Sequence, residues 1–373
     1  MHIVFSRHKL LSALKACQKV IPKSTFRSIF QCALLYSSPT FSGVRIEATD
    51  LNSGVSALDE SAAVLETGSV VCPIRGVVRF LSNSKSSHVE VRTTDGDNFR
   101  VGDFEVQGFS PDDFPQLPVI SSSNPVFLVS SNFLSFAISR AKHAAVNDSS
   151  QSALNGFYLS QHGSLLRLAT TDGKRAVIVQ TTVENSLPLP NKGLVVPYEA
   201  MLAVATLFEV CPTISLFLEG NQIAFRGRVS TVCARLIEAE FPPLNALNLE
   251  SLPYTLSIER ISLLDTLKLV LPLLSSSYPD LQMELGKNVM RISVSNLTKG
   301  SLARDLSCDY DGPDLVFGVD AKYLKEMASG SKDENFTLTL TDDQTPIRVH
   351  EVHKVGGEVQ NVVELLGLYF RKS

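Results

Sequence analysis

The chain repeats itself three times, and that triplication limits it to folds assembled from sibling domains. Three segments open alike: HIVFSRHKLLSALKACQKVI from His2, PVFLVSSNFLSFAISRAKHAAV from Pro125 and PYTLSIERISLLDTLKLVLPLL from Pro253. Each is a short alternating strand followed by apolar residues spaced three and four apart, the period of an amphipathic helix. Ser6, Ser130 or Ser131, and Ser257 stand where helix N-cap acceptors are wanted. The middles also correspond. GVRIEATDLNSGVSA, LLRLATTDGKRAVIV and VMRISVSNLTKGSLA each read as strand, polar corner, strand.

The second halves repeat as GSVVCPIRGVVRFLSNS, GLVVPYEAMLAVATLF and DLVFGVDAKYLKEMAS, a buried strand running into a second helix. Two of the units close on related Phe-Pro signatures, PDDFPQLP and AEFPPLNAL, which places linkers near 121–124 and 248–251. The expected fold class is α+β, with two helices and antiparallel sheets in each unit. The expected domains are 1–121, 122–248 and 249–373.

The chain has 373 residues, 44% of them hydrophobic and 19% charged, enough apolar material for several cores. Its N-terminus carries Arg7, His8 and Lys9 where a secretion signal needs an apolar core. No apolar run approaches the ~18 residues of a membrane span. A cytoplasmic protein is expected. Six cysteines lie far apart with no C-x-x-C pair, so reduced thiols are expected and neither a zinc site nor a disulfide framework.

Net charge is −4, but a sum can hide a basic face. On the six predicted helices, eleven cations (Lys9, Lys15, Lys19, Arg75, Arg79, Arg140, Lys142, Arg260, Lys268, Lys322, Lys325) oppose five acids (Glu199, Glu209, Glu259, Asp265, Glu326). The helices therefore carry +6 and the remainder −10. Such helices suit a polyanion. Scattered Lys and Arg, without aromatic stacking platforms or a recognition helix, would hold it through phosphates and not through bases.

Signals for catalysis are weak. His350 and His353 in TPIRVHEVHKV sit on a strand-like alternation, where a spacing of three sends them to opposite faces and away from a shared metal. Asp112 and Asp113 are adjacent on an extended segment and read as a turn. The chain has neither a Gly-rich phosphate loop nor a G-x-S-x-G elbow, so no cofactor and no catalytic residue is expected.

The corner ATDL at 48–51, LNG at 154–156, TTDGKRAV at 170–177 and the two Phe-Pro closures together resemble the bacterial DNA polymerase III beta subunit, the sliding clamp, over essentially the whole chain. The resemblance implies a homodimer of crescents joined head to tail into a ring, with helices inside and sheets outside. It implies a non-catalytic processivity factor that encircles duplex DNA and partners the replicative polymerase and the clamp loader. Lys23 matches a basic DNA-facing position and Arg27 lies close by. With Arg75, Arg79, Arg140, Lys142, Lys268, Lys322 and Lys325 they make the candidate DNA contacts.

A hydrophobic peptide cleft between the second and third domains is implied as well. Its matching positions are Leu154, Thr171, Gly173, Lys174, Arg175, Ala176 and Pro242, with Gly173 expected at positive φ. The family's Met-Pro-x-Arg type of tail is replaced here by VVELLGLYFRKS, in which Val362, Val363, Leu366 and Leu368 are the candidate substitutes. The loop NDSSQSA before LNG lacks the arginine and aromatic residues common there. An alternative is a divergent clamp-like interaction module that binds polymerase-type peptides without encircling DNA.

Overall fold

Every predicted strand-to-helix entry is present in the computed structural model, which describes residues 1–118, 120–146, 152–183, 187–209, 211–243, 252–275, 280–355 and 357–368. The linker expected at 248–251 and most of the loop before LNG, 147–151, lie outside these described residues. The first third runs β1 (His2–Ser6), α1 (Arg7–Val20), β2 (Cys32–Ser37), β3 (Val44–Thr49), β4 (Ser53–Asp59), β5 (Ala63–Glu66), β6 (Gly68–Pro73), α2 (Ile74–Asn83), β7 (His88–Thr93), β8 (Phe99–Val101) and β9 (Phe104–Val106). The middle third runs β10 (Phe127–Ser130), α3 (Ser131–Ala141), β11 (Gly156–His162), β12 (Leu165–Thr171), β13 (Arg175–Thr182), β14 (Leu194–Pro197), α4 (Tyr198–Leu207), β15 (Thr213–Glu219), β16 (Gln222–Arg226) and β17 (Thr231–Arg235). The last third runs β18 (Tyr254–Glu259), α5 (Arg260–Val270), β19 (Asp280–Gly286), β20 (Val289–Asn296), β21 (Gly300–Tyr310), β22 (Leu315–Asp320), α6 (Ala321–Gly330), β23 (Asn335–Leu340), β24 (Ile347–Val355) and β25 (Glu358–Leu366).

One strand, a helix, four strands, a helix and three strands is the order in the second and third repeats, and the first adds only β5. The class is α+β, with six α-helices and three sheets among the described residues. The compact units do not follow the repeats. One unit comprises 1–139, 149–166 and 182–240, and the other 140–148, 167–181 and 241–373, so the middle repeat contributes to both.

In the first unit, β5-β1-β7-β8-β9 form one sheet and β10-β15-β16-β17-β4-β3-β2-β6 another. The larger sheet joins two repeats where β17 pairs antiparallel with β4, Cys233 opposite Gly54 and Val232 opposite Val55. Gly54 fits closely there: a β-carbon would come within 3.1 Å of the Cys233 sulfur and 3.3 Å of Leu117, so either neighbour would have to shift by a few tenths of an ångström. Helix α1 packs on both α2 and α4, burying Leu10, Leu14 and Cys17 from one face.

In the second unit, β12-β13-β25-β24-β23-β18-β21-β20-β19-β22 is the strand order, and α5 packs on α6. Its core gathers Leu256, Leu263, Leu267, Met283, Phe317 and Phe336. Helix caps differ from expectation. Ser6 occupies the N-cap of α1 but its hydroxyl caps nothing, and Ser257 lies inside β18, leaving Glu259 as the N-cap of α5. Asp320 does cap its helix: its carboxylate accepts from Lys322 N at 2.8 Å and Tyr323 N at 3.2 Å at the start of α6.

All six cysteines are free thiols, and burial pushes those of Cys17, Cys32 and Cys72 up, that of Cys32 to about 12. No helix among the described residues is long and apolar enough to cross a membrane.

Candidate nucleic-acid interface

The polar corners are built by one hydrogen-bond scheme. In the first, the Asp50 carboxylate accepts from Asn52 N at 2.9 Å and Ser53 N at 2.6 Å, while the Thr49 hydroxyl donates to Ser53 O at 2.8 Å. In the second, Asp172 accepts from Lys174 N and Arg175 N, both at 3.0 Å, and the Thr171 hydroxyl donates to Arg175 O at 2.6 Å. The third substitutes Asn296, whose side-chain oxygen accepts from Thr298 N at 3.0 Å and Lys299 N at 3.1 Å. Gly173 takes the expected positive φ, +86°, and the position matching it in the first corner is Leu51, at +76°.

Helices α1 to α6 hold eleven Lys and Arg against three Asp and Glu, so the helical excess is larger than the sequence boundaries suggested. Helix α1 begins at Arg7, whose guanidinium donates to Leu81 O at 3.0 Å and Ser86 O at 2.8 Å, while Glu209 and Glu259 fall outside the helices. Within the first unit, Lys23, Arg27, Arg75 and Arg79 are all exposed. Arg75 Nη2 on α2 donates to Lys23 O at 2.7 Å, and Gln31 Nε2 donates to the same carbonyl at 3.1 Å and to Pro22 O at 3.2 Å. The segment carrying Lys23 and Arg27 is thus tied to α2 through its backbone, leaving its side chains outward. Lys23 Nζ lies 4.0 Å from Glu199 at the start of α4. Within the second unit, Lys142 and Lys322 are exposed, Lys325 is half-buried, and Lys268 pairs with Asp265 at 2.8 Å on the surface of α5.

Arg140 is the clear exception. It is 4% exposed, and its Nη2 donates to Glu351 Oε2 at 2.9 Å and lies 2.6 Å from Glu364 Oε1, close but out of line for a hydrogen bond. A β-carbon at Gly330 would collide with the same guanidinium. His143 and His353 flank the cluster, the latter 2.8 Å from Glu351 Oε2. The reading of Arg140 as a DNA contact is therefore corrected: the structure uses its charge internally, because two buried carboxylates need a cation beside them.

The cleft candidates separate by accessibility. Leu154 belongs to the first unit and is half-buried, and the others belong to the second. Gly173, Lys174 and Pro242 are exposed, whereas Thr171, Arg175 and Ala176 are buried. The Arg175 guanidinium is engaged internally. It binds Asp172 at 3.1 Å, Glu326 and the carbonyl of His143, and lies 3.8 Å over the Tyr323 ring. The tail is also corrected. Val362, Val363 and Leu366 are buried positions of β25, paired with Val179, Ile178 and Arg175 of β13, so they fill the core of this unit. Leu368, past the strand end, is half-buried.

His350 and His353 lie on β24, the strand expected for them. Among the described residues no group of three or more His, Cys, Asp or Glu could hold a metal.

The fold is that of a sliding clamp. The solved DNA polymerase III beta subunit of Thermotoga maritima superposes with a TM-score of 0.84 at 20% identity, covering 99% of this chain and 100% of that one. The beta subunit from Streptococcus pyogenes gives 0.82 at 17% identity, with 100% of both chains covered. In sequence, the family model described as DNA polymerase III beta subunit, central domain, matches residues 128–243. The beta sliding clamp of Chlamydia muridarum is 22% identical over 93% of this chain and 94% of its own, and that of Synechococcus elongatus 20% identical over the same shares. The chain is thus similar to bacterial beta sliding clamps over 93% of its length in sequence and shares the fold of the solved beta subunits over 99 to 100%.

Proposed function

We propose that this chain is a DNA sliding clamp: a head-to-tail homodimer that encircles duplex DNA and tethers the replicative polymerase as a non-catalytic processivity factor in the cytoplasm. A clamp loader would place it on DNA, and any ATP for loading would be used by that partner. The domains would be 1–121, 122–248 and 249–373, six to a ring. The observation that carries the reading is the extent of the likeness, 93% of the chain in sequence and 99 to 100% in fold, which leaves no third of the molecule for another activity.

The DNA contacts would be Lys23, Arg27, Arg75, Arg79, Lys142, Lys268, Lys322 and Lys325, acting on phosphates without base readout. Peptides from the polymerase and loader would meet Gly173, Lys174, Pro242 and Leu368 of the second unit, where Thr171, Arg175 and Ala176 shape the backbone of the corner, and Leu154 of the first unit is a further candidate contact. The test is topological. The protein should sediment as two chains, remain on nicked circular DNA through gel filtration, and be lost once that DNA is linearised. Equal loss from circular and linear DNA, or a monomeric mass, would refute encirclement.

A further inference from the structure

Phe26 is fully exposed, at 109% of the reference for an extended chain, and no other aromatic ring among the described residues is left so bare. It stands between two exposed cations, Lys23 and Arg27, with the exposed Arg75 beside their segment. The segment is not a slack loop, because Gln31 and Arg75 hold the carbonyls of Pro22 and Lys23, Arg27 N donates to the Thr25 hydroxyl at 3.2 Å, and Phe30 N donates to Arg27 O at 3.1 Å. A bare ring on a tethered backbone, bracketed by positive charge, has the chemistry of a platform for single-stranded nucleic acid: the ring stacks on an unpaired base and the cations hold the flanking phosphates.

We infer that Phe26, with Lys23, Arg27 and Arg75, is a stacking site for unpaired DNA bases, so that the protein grips a single strand in addition to the duplex. The inference rests on the clamp reading for the presence of DNA. Paired bases hide their faces within the duplex, so the ring has a partner only where a strand is unpaired, as at the overhang of a primer-template end. A protein partner fits less well, since the three surrounding cations would have to be matched by acids.

The chain has no tryptophan, so Phe26→Trp introduces a single reporter whose emission a stacked base quenches. At low salt, an oligo-dT strand should quench that emission, and blunt duplex should not. With full-length protein and a duplex carrying an overhang of roughly ten nucleotides, Phe26→Ala should weaken binding about tenfold, and Phe26→Tyr should restore it. Blunt-duplex affinity should change less than about twofold in either variant, since the phosphate contacts are untouched. Unquenched emission at saturating oligo-dT, equal losses on overhang and blunt duplex, or a changed oligomeric mass in Phe26→Ala would each overturn the inference. Retention of Phe26→Ala on nicked circular DNA separates this failure from failure of the clamp reading, which would show as loss of the parent protein too.

Discussion

Leu51 holds a backbone dihedral that L-residues resist, and its counterpart in the second corner shows what relieves it. At φ +76° its β-carbon is pressed against its own backbone, the local strain any L-residue meets there, and Gly173 at +86° escapes it by having no β-carbon, although the space around it is open. Equivalent substitutions should therefore have opposite signs: Leu51→Gly should raise unfolding free energy by about 0.5 kcal/mol, and Gly173→Ala should lower it by about 1 kcal/mol, read from urea midpoints. Gly173 was legible in the sequence because Asp-Gly announces its turn; Leu51 was not, because nothing in a leucine signals positive φ. Arg140 was misread for a different reason. A cation on a helix reads as solvated or ligand-facing, and its partner Glu351 lies 211 residues away in the chain. Arg140→Ala should cost about 3–5 kcal/mol of stability by stranding Glu351 and Glu364, while the salt dependence of DNA binding by the folded variant stays that of the parent.

Elements were foreseen in kind and order, and their ends were not. The periods of two and of three-to-four residues are written in the chain, so strands and helices fall where expected. Capping depends on the side-chain conformation at one position, and serine at a helix start is a statistical preference that Ser6 does not act on. Asp320→Ala should destabilise the protein by about 1 kcal/mol in thermal or urea melts, and Ser6→Ala by no more than a few tenths. A similar loss at both sites would mean that the α6 cap contributes nothing special. Strand β25 shows where periodicity fails. Val362, Val363, Glu364, Leu365 and Leu366 are consecutive and all buried, so the strand is covered on both faces and loses the alternation that would separate core from cleft.

For the whole molecule, the charge separation between helices and the rest of the chain is the property that bears on DNA. Arg75→Glu with Arg79→Glu should lower the slope of log affinity against log salt by about two to four, while duplexes of different sequence remain equivalent for parent and variant. An unchanged slope would show that α2 does not face phosphate. The repeats were legible, because self-similarity is a property of the sequence itself, but the two compact units were not, since they follow pairings between strands of different repeats. That between β4 and β17 sets a schedule for biosynthesis. Cys233 follows Gly54 by 179 residues, and at ribosomal speeds of about 5–20 residues per second the outer edge of β4 stands open for roughly 10–35 s before its neighbour exists. A nascent chain must carry that unsatisfied strand edge through the crowded space around the ribosome, where other growing chains compete to pair with it. Slow synthesis, which helps proteins whose domains close one after another, would lengthen the hazard for this one.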